Sequence, residues 1–470
     1  MSSAATPPRR ALAIGLVLAV TTYAFDGLSI AAAMPAIVDD LGGVSLYGAT
    51  FSSFMLANLV SLAVAGPIAD RRGPRPVLAT GLALFAVGLV IGGVAPTMPV
   101  VVAGRLVQGL GAGTIGSCAY VVIGRVWPEE GRARMFAVLS AAWIVPSLVA
   151  PAAAGVIAEH FTWRFVFLGL LPFPFVAAAL ALPSLHALGP AAPELAGDGE
   201  VRRRTLIGVR LAAGALALVA GFDATTPAIA VALIATGVVV AVPAFRALMP
   251  VGALVAAVGL PAVIAARLLL AWAFFGTDAF VPLLITEVKG DSTVVGGLAL
   301  TAAGLAWSSA AWAQARLAGH TSETRLVVGG VALIGAGIAI VAMTLSSSVP
   351  VAVVFLGWAV AGAGMGFASN TTSLAALARA RRGQEGETSS AIQLADALGV
   401  ALATGVGGAV VAAGDRGGWR PAPTLGLVFV ITGAATLPCV LAARRIGTRS
   451  DSTNASAQRM QERLAKPSTR

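Results

Sequence analysis

A chain of 470 residues with 57% hydrophobic and 11% charged residues and a mean hydropathy of +0.88 is not an ordinary soluble domain, which carries about 25% charge. Its formal charge of +10 and pI near 11.0 would suit a nucleic-acid binder, but there is almost no Lys and no basic face interleaved with aromatics, so no nucleic-acid partner is expected. Cys118 and Cys439 stand in apolar runs without metal-ligand spacing and read as packing residues, with no metal site.

About 20 apolar residues cross the hydrocarbon core, and only helices or closed barrels satisfy the backbone there. The apolar runs are too long and continuous for barrel strands, so an all-α integral membrane protein is predicted. In chain order the spans are Leu12–Val38, Tyr47–Ala69, Val77–Ala95, Val100–Ile123, Met135–Ala158 and Phe165–Leu182. After a polar linker come Leu206–Phe222 and Ala228–Phe245, then Val263–Thr286, Val294–Ala315, Leu326–Leu345, Val351–Ala378, Ser389–Ala413 and Leu425–Ala443, fourteen in all. Ala31 to Ala33 imitate a signal-peptide cleavage site, but the run before them is too long for such a signal and more spans follow, so the first span reads as uncleaved. The segment from Ala247 to Ala262, broken by Pro250 and Pro261, either lies along the cytoplasmic surface or extends the next helix.

Cytoplasmic loops collect Lys and Arg. With the N-terminus inside, the outer loops hold only Arg164, Lys289, Arg416 and Arg420, and the spans hold Arg105, Arg210 and Arg267. Every other basic residue then falls on the cytoplasmic side, and both termini are expected there.

The sequence also repeats itself. Gly104, Gly109, Gly111 and Gly113 fall on Gly357, Gly362, Gly364 and Gly366 at an offset of 253, Asp26 falls on Asp278 at 252, and Gly81 and Gly88 fall on Gly330 and Gly337 at 249. Duplication predicts two pseudo-symmetric six-helix bundles with the pair Leu206–Phe245 inserted between them, a transporter plan whose site lies between the halves. The predicted divisions are a first bundle over 1–185, a cytoplasmic linker over 186–204, the inserted helices over 205–248, a second bundle over 249–446 and a disordered cytoplasmic tail over 447–470.

The stretch GPIADRRGPRPVL, from Gly66, resembles the cytoplasmic loop signature of the major facilitator superfamily, with Gly66, Asp70, Arg71, Gly73 and Arg75 in place. The resemblance implies a conformational latch; the alternative is a plain basic loop. Its counterpart from Ala315 has Gly319 where Asp70 would be, a degenerate second latch. RLVQGLGAG, from Arg105, resembles the superfamily motif whose embedded Arg is associated with proton transfer. WIVPSLVAPAAAGVIAEHFTWRFVF, from Trp143, is similar to the fifth-helix signature of the 14-helix drug:proton antiporters: Pro146, Pro151 and Gly155 keep its helix-packing pattern, while Ala150 and Ala154 replace its usual glycines.

An ionisable residue at membrane depth costs about 2.5 kcal/mol or more and usually carries function. Asp26 and Asp278, from the first helices of the two halves, are expected on opposite walls of one cavity as proton or cation sites, with Arg105 tuning Asp26 as the halves rock; a static ion pair or a snorkelling Arg is the other account of Arg105. Asn58, Gln108, Asn370, Gln393 and Asp396 are the candidate substrate-cavity residues; helix-to-helix hydrogen bonding is the other account of the amides. Nothing resembles a nucleotide-binding loop, so the proton gradient, with no cofactor, is the expected energy source. The leading expectation is a monomeric exporter that exchanges protons for small amphipathic organic compounds, with a role in antibiotic resistance. A transporter of one specific metabolite is the second reading. A membrane enzyme or receptor is the third, and the absence of a nucleophile elbow, metal motif or His cluster argues against it, with His160, His186 and His320 all placed in loops. The Ala, Gly and Arg richness points to a bacterial inner membrane.

Overall fold

The structure, a computed structural model, describes residues 9–186, 188–189, 198–318, 320–380 and 385–447. Gly319, Arg381, Arg382, part of the linker and the tail from residue 448 lie outside them. Fourteen stretches are long and apolar enough to cross a membrane, matching the predicted number, and the described residues form no strand. The first half comprises α1 (Arg9–Leu41), α2 (Tyr47–Arg72), α3 (Pro74–Gly93), α4 (Met98–Val126), α5 (Glu129–Ala141), α6 (Ile144–Ile157), α7 (Arg164–Leu168) and α8 (Pro172–Ala181). The inserted hairpin is α9 (Asp198–Asp223) and α10 (Pro227–Leu248). The second half comprises α11 (Leu260–Asp278), α12 (Val281–Glu287), α13 (Thr293–Leu317), α14 (Glu323–Met343), α15 (Ala352–Arg379), α16 (Glu385–Arg416), α17 (Pro421–Ala434) and α18 (Thr436–Arg444).

Four predicted spans are less regular than their apolar runs suggest. A proline lacks the N–H that would bond the carbonyl four residues back, and its ring crowds that carbonyl. Pro172, Pro282 and Pro438 stand four residues beyond the ends of α7, α11 and α17, at Leu168, Asp278 and Ala434. Pro146 stands four beyond Ala142, in the turn between α5 and α6. The fifth span therefore runs from Ile144 through a π-helical turn at Ala158–Thr162 that includes His160, expected in a loop. Residues 249–259 lie between α10 and α11 as turns with a short 3-10 segment, and Val251, Val255 and Val258 are exposed there. They extend neither helix.

The glycine repeat appears as contacts made twice. A Cβ on Gly104 would stand 3.1 Å from Gly88 O, and one on Gly357 3.0 Å from Gly337 O. Gly111 packs on Gly81 and Phe85 as Gly364 packs on Gly330 and Ile334, and Gly109 meets Phe54 O as Gly362 meets Ala303 O. These glycines bring helix backbones close where lipid offers no hydrophobic drive to associate.

The arginine-rich end, where α1 begins, is called here the basic end, and the opposite one the far end. Between described residues, two hydrogen bonds cross from one half to the other, both at the far end. Tyr47 Oη donates to Ala279 O over 2.9 Å, and Val294 N donates to Glu159 Oε2 over 2.9 Å. Two helix seams extend this closure inward. A Cβ on Gly408 of α16 would fall 2.5 Å from Gly48 Cα of α2. Between α6 and α13, Gly155 packs on Thr293 and Val294, Gly297 on Pro151 O, and Gly304 on Ser147 O. The antiporter-like residues Pro151 and Gly155 thus face the other half. In the hairpin, α10 packs on α9, while α9 lies against both α2 and α16. Gly208 meets Ala63, Val219 meets Gly405, and Arg416 Nη1 bonds Asp223 Oδ1 over 3.0 Å.

Candidate functional site

Asp26 is near the middle of α1 and Arg105 two turns into α4. Arg105 Nη1 donates to Asp26 Oδ2 (2.5 Å) and to Gln108 Oε1 (2.9 Å), and Gln108 Nε2 donates to Asp26 Oδ1 (3.1 Å). The three side chains close a triangle, and all are buried, Gln108 completely. Phe54 of α2 covers the guanidinium at 4.2 Å, a cation–π contact that strengthens away from water. Arg105 Nε is buried without a partner. The predicted ionic pair forms, but Gln108 is not an open cavity residue: it belongs to the pair, because three positions along α4 put it on the face of Arg105. Arg105 and Gln108 together hold both oxygens of Asp26, so the carboxylate keeps its counter-charge within hydrogen-bond reach.

Asp278 occupies the equivalent place in the second half with different chemistry. It ends α11, and its Oδ1 accepts from Trp358 Nε1 over 2.8 Å. Trp358 is fully buried and stacks on Phe274. By the glycine offset of 253, Trp358 stands where the first half has Arg105. The matched position offers a donor without the charge, and among the described residues Asp278 has no ion-pair partner. Asp26 and Asp278, expected on opposite walls of one cavity, lie in different settings. Asp26 is sealed against α4 inside its own half, while Asp278 lies beside the far-end contact of Tyr47 with Ala279.

A third carboxylate, Asp396 of α16, is held by Arg267 of α11, a residue that the sequence analysis leaves without a role. Arg267 Nε donates to Asp396 Oδ1 (3.0 Å), Nη2 to Oδ2, and Nη1 to Ser369 Oγ (2.5 Å) and O (3.1 Å). Asp396 keeps 28% of its side chain accessible against 9% for Arg267, so the carboxylate is the more open partner. Asn58, Asn370 and Gln393 are part-buried on α2, α15 and α16. Removing one member of a buried pair costs about 3–5 kcal/mol, whereas replacing both with apolar residues is often neutral. Arg267→Met should therefore lower thermal stability in detergent markedly, and Arg267→Met/Asp396→Leu should recover most of the loss. Equal destabilisation by single and double variants would contradict the pairing.

At the basic end, Gly73 has φ +86°, a value that favours glycine, and turns α2 into α3. Asp70 lies within electrostatic range of Arg125 of α4, in its own half. Gly66 packs on Ser117, and Arg71 and Arg75 are exposed. In the second half Glu323 pairs with Arg379 Nη2 at 2.8 Å.

Among the described residues no cluster of His, Cys, Asp or Glu could hold a metal. The Major Facilitator Superfamily model matches residues 12–404. The multidrug transporter MdtP of Bacillus subtilis is 32% identical over 42% of this chain, a match that spans 37% of that relative. A probable multidrug-efflux transporter of Mycobacterium tuberculosis is 26% identical over 91% of this chain and 93% of its own length. Among solved structures, a D-xylose–proton symporter superposes with a TM-score of 0.65 at 15% identity, over 93% of this chain and 97% of that one. The human organic anion transporter MFSD10 gives 0.62 at 15%, over 93% and 100%. These two support the fold. Homologues and structural neighbours are transporters, which points to a protein that is not an enzyme. A family match over most of the chain, on a helical bundle with fourteen candidate spans, makes this protein a member of the Major Facilitator Superfamily.

Proposed function

We propose that the protein exports small amphipathic organic compounds in exchange for protons by alternating access. The observation that carries this reading is the Asp26–Arg105–Gln108 triangle, a proton-titratable group held by a cation on another helix of the same half. Movement of α1 against α4 would separate carboxylate from guanidinium, and a carboxylate that loses its counter-charge in a membrane interior takes up a proton. Asp278 would be the second proton site. Asp396, Asn58, Asn370 and Gln393 would face the compound, and Gly66, Asp70, Arg71, Gly73 and Arg75 would latch the basic end in the opposite state. The multidrug names of the two relatives support the substrate class.

The basic end would be cytoplasmic, with both termini on that side of a bacterial inner membrane, so that the far-end closure is the inward-facing state. The functional divisions would be 1–185, 186–204, 205–248, 249–446 and 447–470, acting as a monomer that draws on the proton gradient without a cofactor. The test is ethidium transport in proteoliposomes with an imposed pH gradient. Ethidium should accumulate against its own gradient only while the pH gradient stands. Identical movement after nigericin collapses that gradient would overturn the reading.

A further inference from the structure

We infer that Asp278 is the proton sensor of the far-end gate and that Tyr47 is the residue through which the gate follows it. This rests on the proton-exchange reading above and adds which carboxylate governs which conformational step. Three observations meet at one place. The first is the helix break. Pro282 removes the hydrogen bond that would continue α11 past Asp278, so Ala279 and Phe280 form a joint between α11 and α12.

The second is the gate. The carbonyl of Ala279, next in sequence to Asp278, receives Tyr47 Oη from the other half, and the Tyr47 ring stacks on Phe280 with centroids 5.4 Å apart. Tyr47 and Phe280 are both fully buried, and Gly48, beside Tyr47, interlocks with Gly408. The closure is therefore built directly onto the joint that follows the carboxylate.

The third is charge. The repeat sets Trp358 in the place of Arg105, so Asp278 receives an N–H without a counter-charge. The neighbouring elements do not supply one. From α2 comes Tyr47, within electrostatic range of both Asp278 and Glu287, and Glu287 of α12 is within range of Asp39 of α1, so these three bring no cation to Asp278. Lys289 gives its ammonium to the carbonyls of Ser346 and Val349, and Arg164 gives its guanidinium to Asp40.

Closing apolar rings over an uncompensated carboxylate is costly. A proton on Asp278 Oδ2, the oxygen Trp358 does not engage, removes that cost. The far end then closes on protonated Asp278 and stays open over the anion. Such a rule makes the return stroke conditional on a proton, which is what obligatory exchange requires. Tyr47 is a positioning residue: it reads the joint without carrying the proton.

The experiment is a spin-label distance measurement between Thr97 and Ser347, exposed far-end residues of the two halves, each changed to Cys in a Cys118→Ala/Cys439→Ala background and reconstituted in nanodiscs. Acidification should shift the wild-type distribution to the short, closed distance. Asp278→Asn, a permanent mimic of the neutral acid, should be closed at every pH. Tyr47→Phe should keep the pH response but lower the closed-to-open ratio roughly three- to tenfold, the worth of one net hydrogen bond. A wild-type pH profile in Asp278→Asn, or an unchanged distribution in Tyr47→Phe, would overturn the inference. Ethidium transport measured on the same label-free variants separates the two levels: proton-driven flux with a pH-blind gate sinks this inference alone, whereas absence of proton-driven flux in wild type sinks the exchange reading.

Discussion

Asp26→Asn is expected to abolish proton-driven ethidium transport and to lower stability by about 3–5 kcal/mol, because it leaves the Arg105 guanidinium buried without a counter-charge, among neutral amide oxygens and the Phe54 ring. Loss of flux in that variant alone would be ambiguous, since a destabilised transporter also fails. The double variant Asp26→Asn/Arg105→Gln resolves it. Removing both charges leaves a neutral amide cluster in the same volume, so thermal unfolding should return close to wild type while proton-driven flux stays absent. Recovery of flux along with stability would show that the pair only holds α1 to α4 and that proton coupling lies elsewhere.

The second large effect is expected at Gly48. Gly48 and Gly408 touch backbone to backbone across the halves, and a Cβ on Gly48 would also collide with Thr404 O. Neither neighbour is the free end of a flexible side chain, so the helices themselves must separate. Overpacking at such a contact costs about 1–3 kcal/mol, which translates into a five- to 150-fold shift of the conformational equilibrium. On the alternating-access reading the contact opens with the far end, so Gly48→Val should fold and insert normally, yet lose turnover and show raised labelling by a membrane-impermeant thiol reagent at a cysteine introduced at Ser52, which is buried in this structure. Unaltered turnover and labelling would mean that the seam yields elsewhere.

Charges in apolar runs are conspicuous, so Asp26, Arg105, Asp278 and Asp396 could be picked out directly from sequence. Their partners were legible to different degrees. Gln108 could have been assigned to the pair from its three-residue spacing to Arg105. Arg267 and Asp396 lie 129 positions apart, and no local spacing links them; only the rule that intramembrane charges seek one another pointed that way. The offset that aligned the glycines also set Trp358 opposite Arg105, and that substitution marks where the two halves part chemically. The helix break at Asp278 was written in Pro282, but continuous hydropathy hides it, because a broken span is as apolar as an intact one. The contacts between halves were the least legible part. They depend on which of many glycines meet, and composition alone does not choose among the 55 present.

The exchange of substrate and proton at the intramembrane aspartates is tested most directly by proton release. Tetraphenylphosphonium is added to purified protein in unbuffered detergent solution, with pH and ligand binding followed together, for wild type and for Asp26→Asn/Asp278→Asn. Proton-coupled exchange predicts that binding to wild type releases protons and that the double variant releases none. Binding to wild type without proton release, or an undiminished release from the double variant, would contradict it.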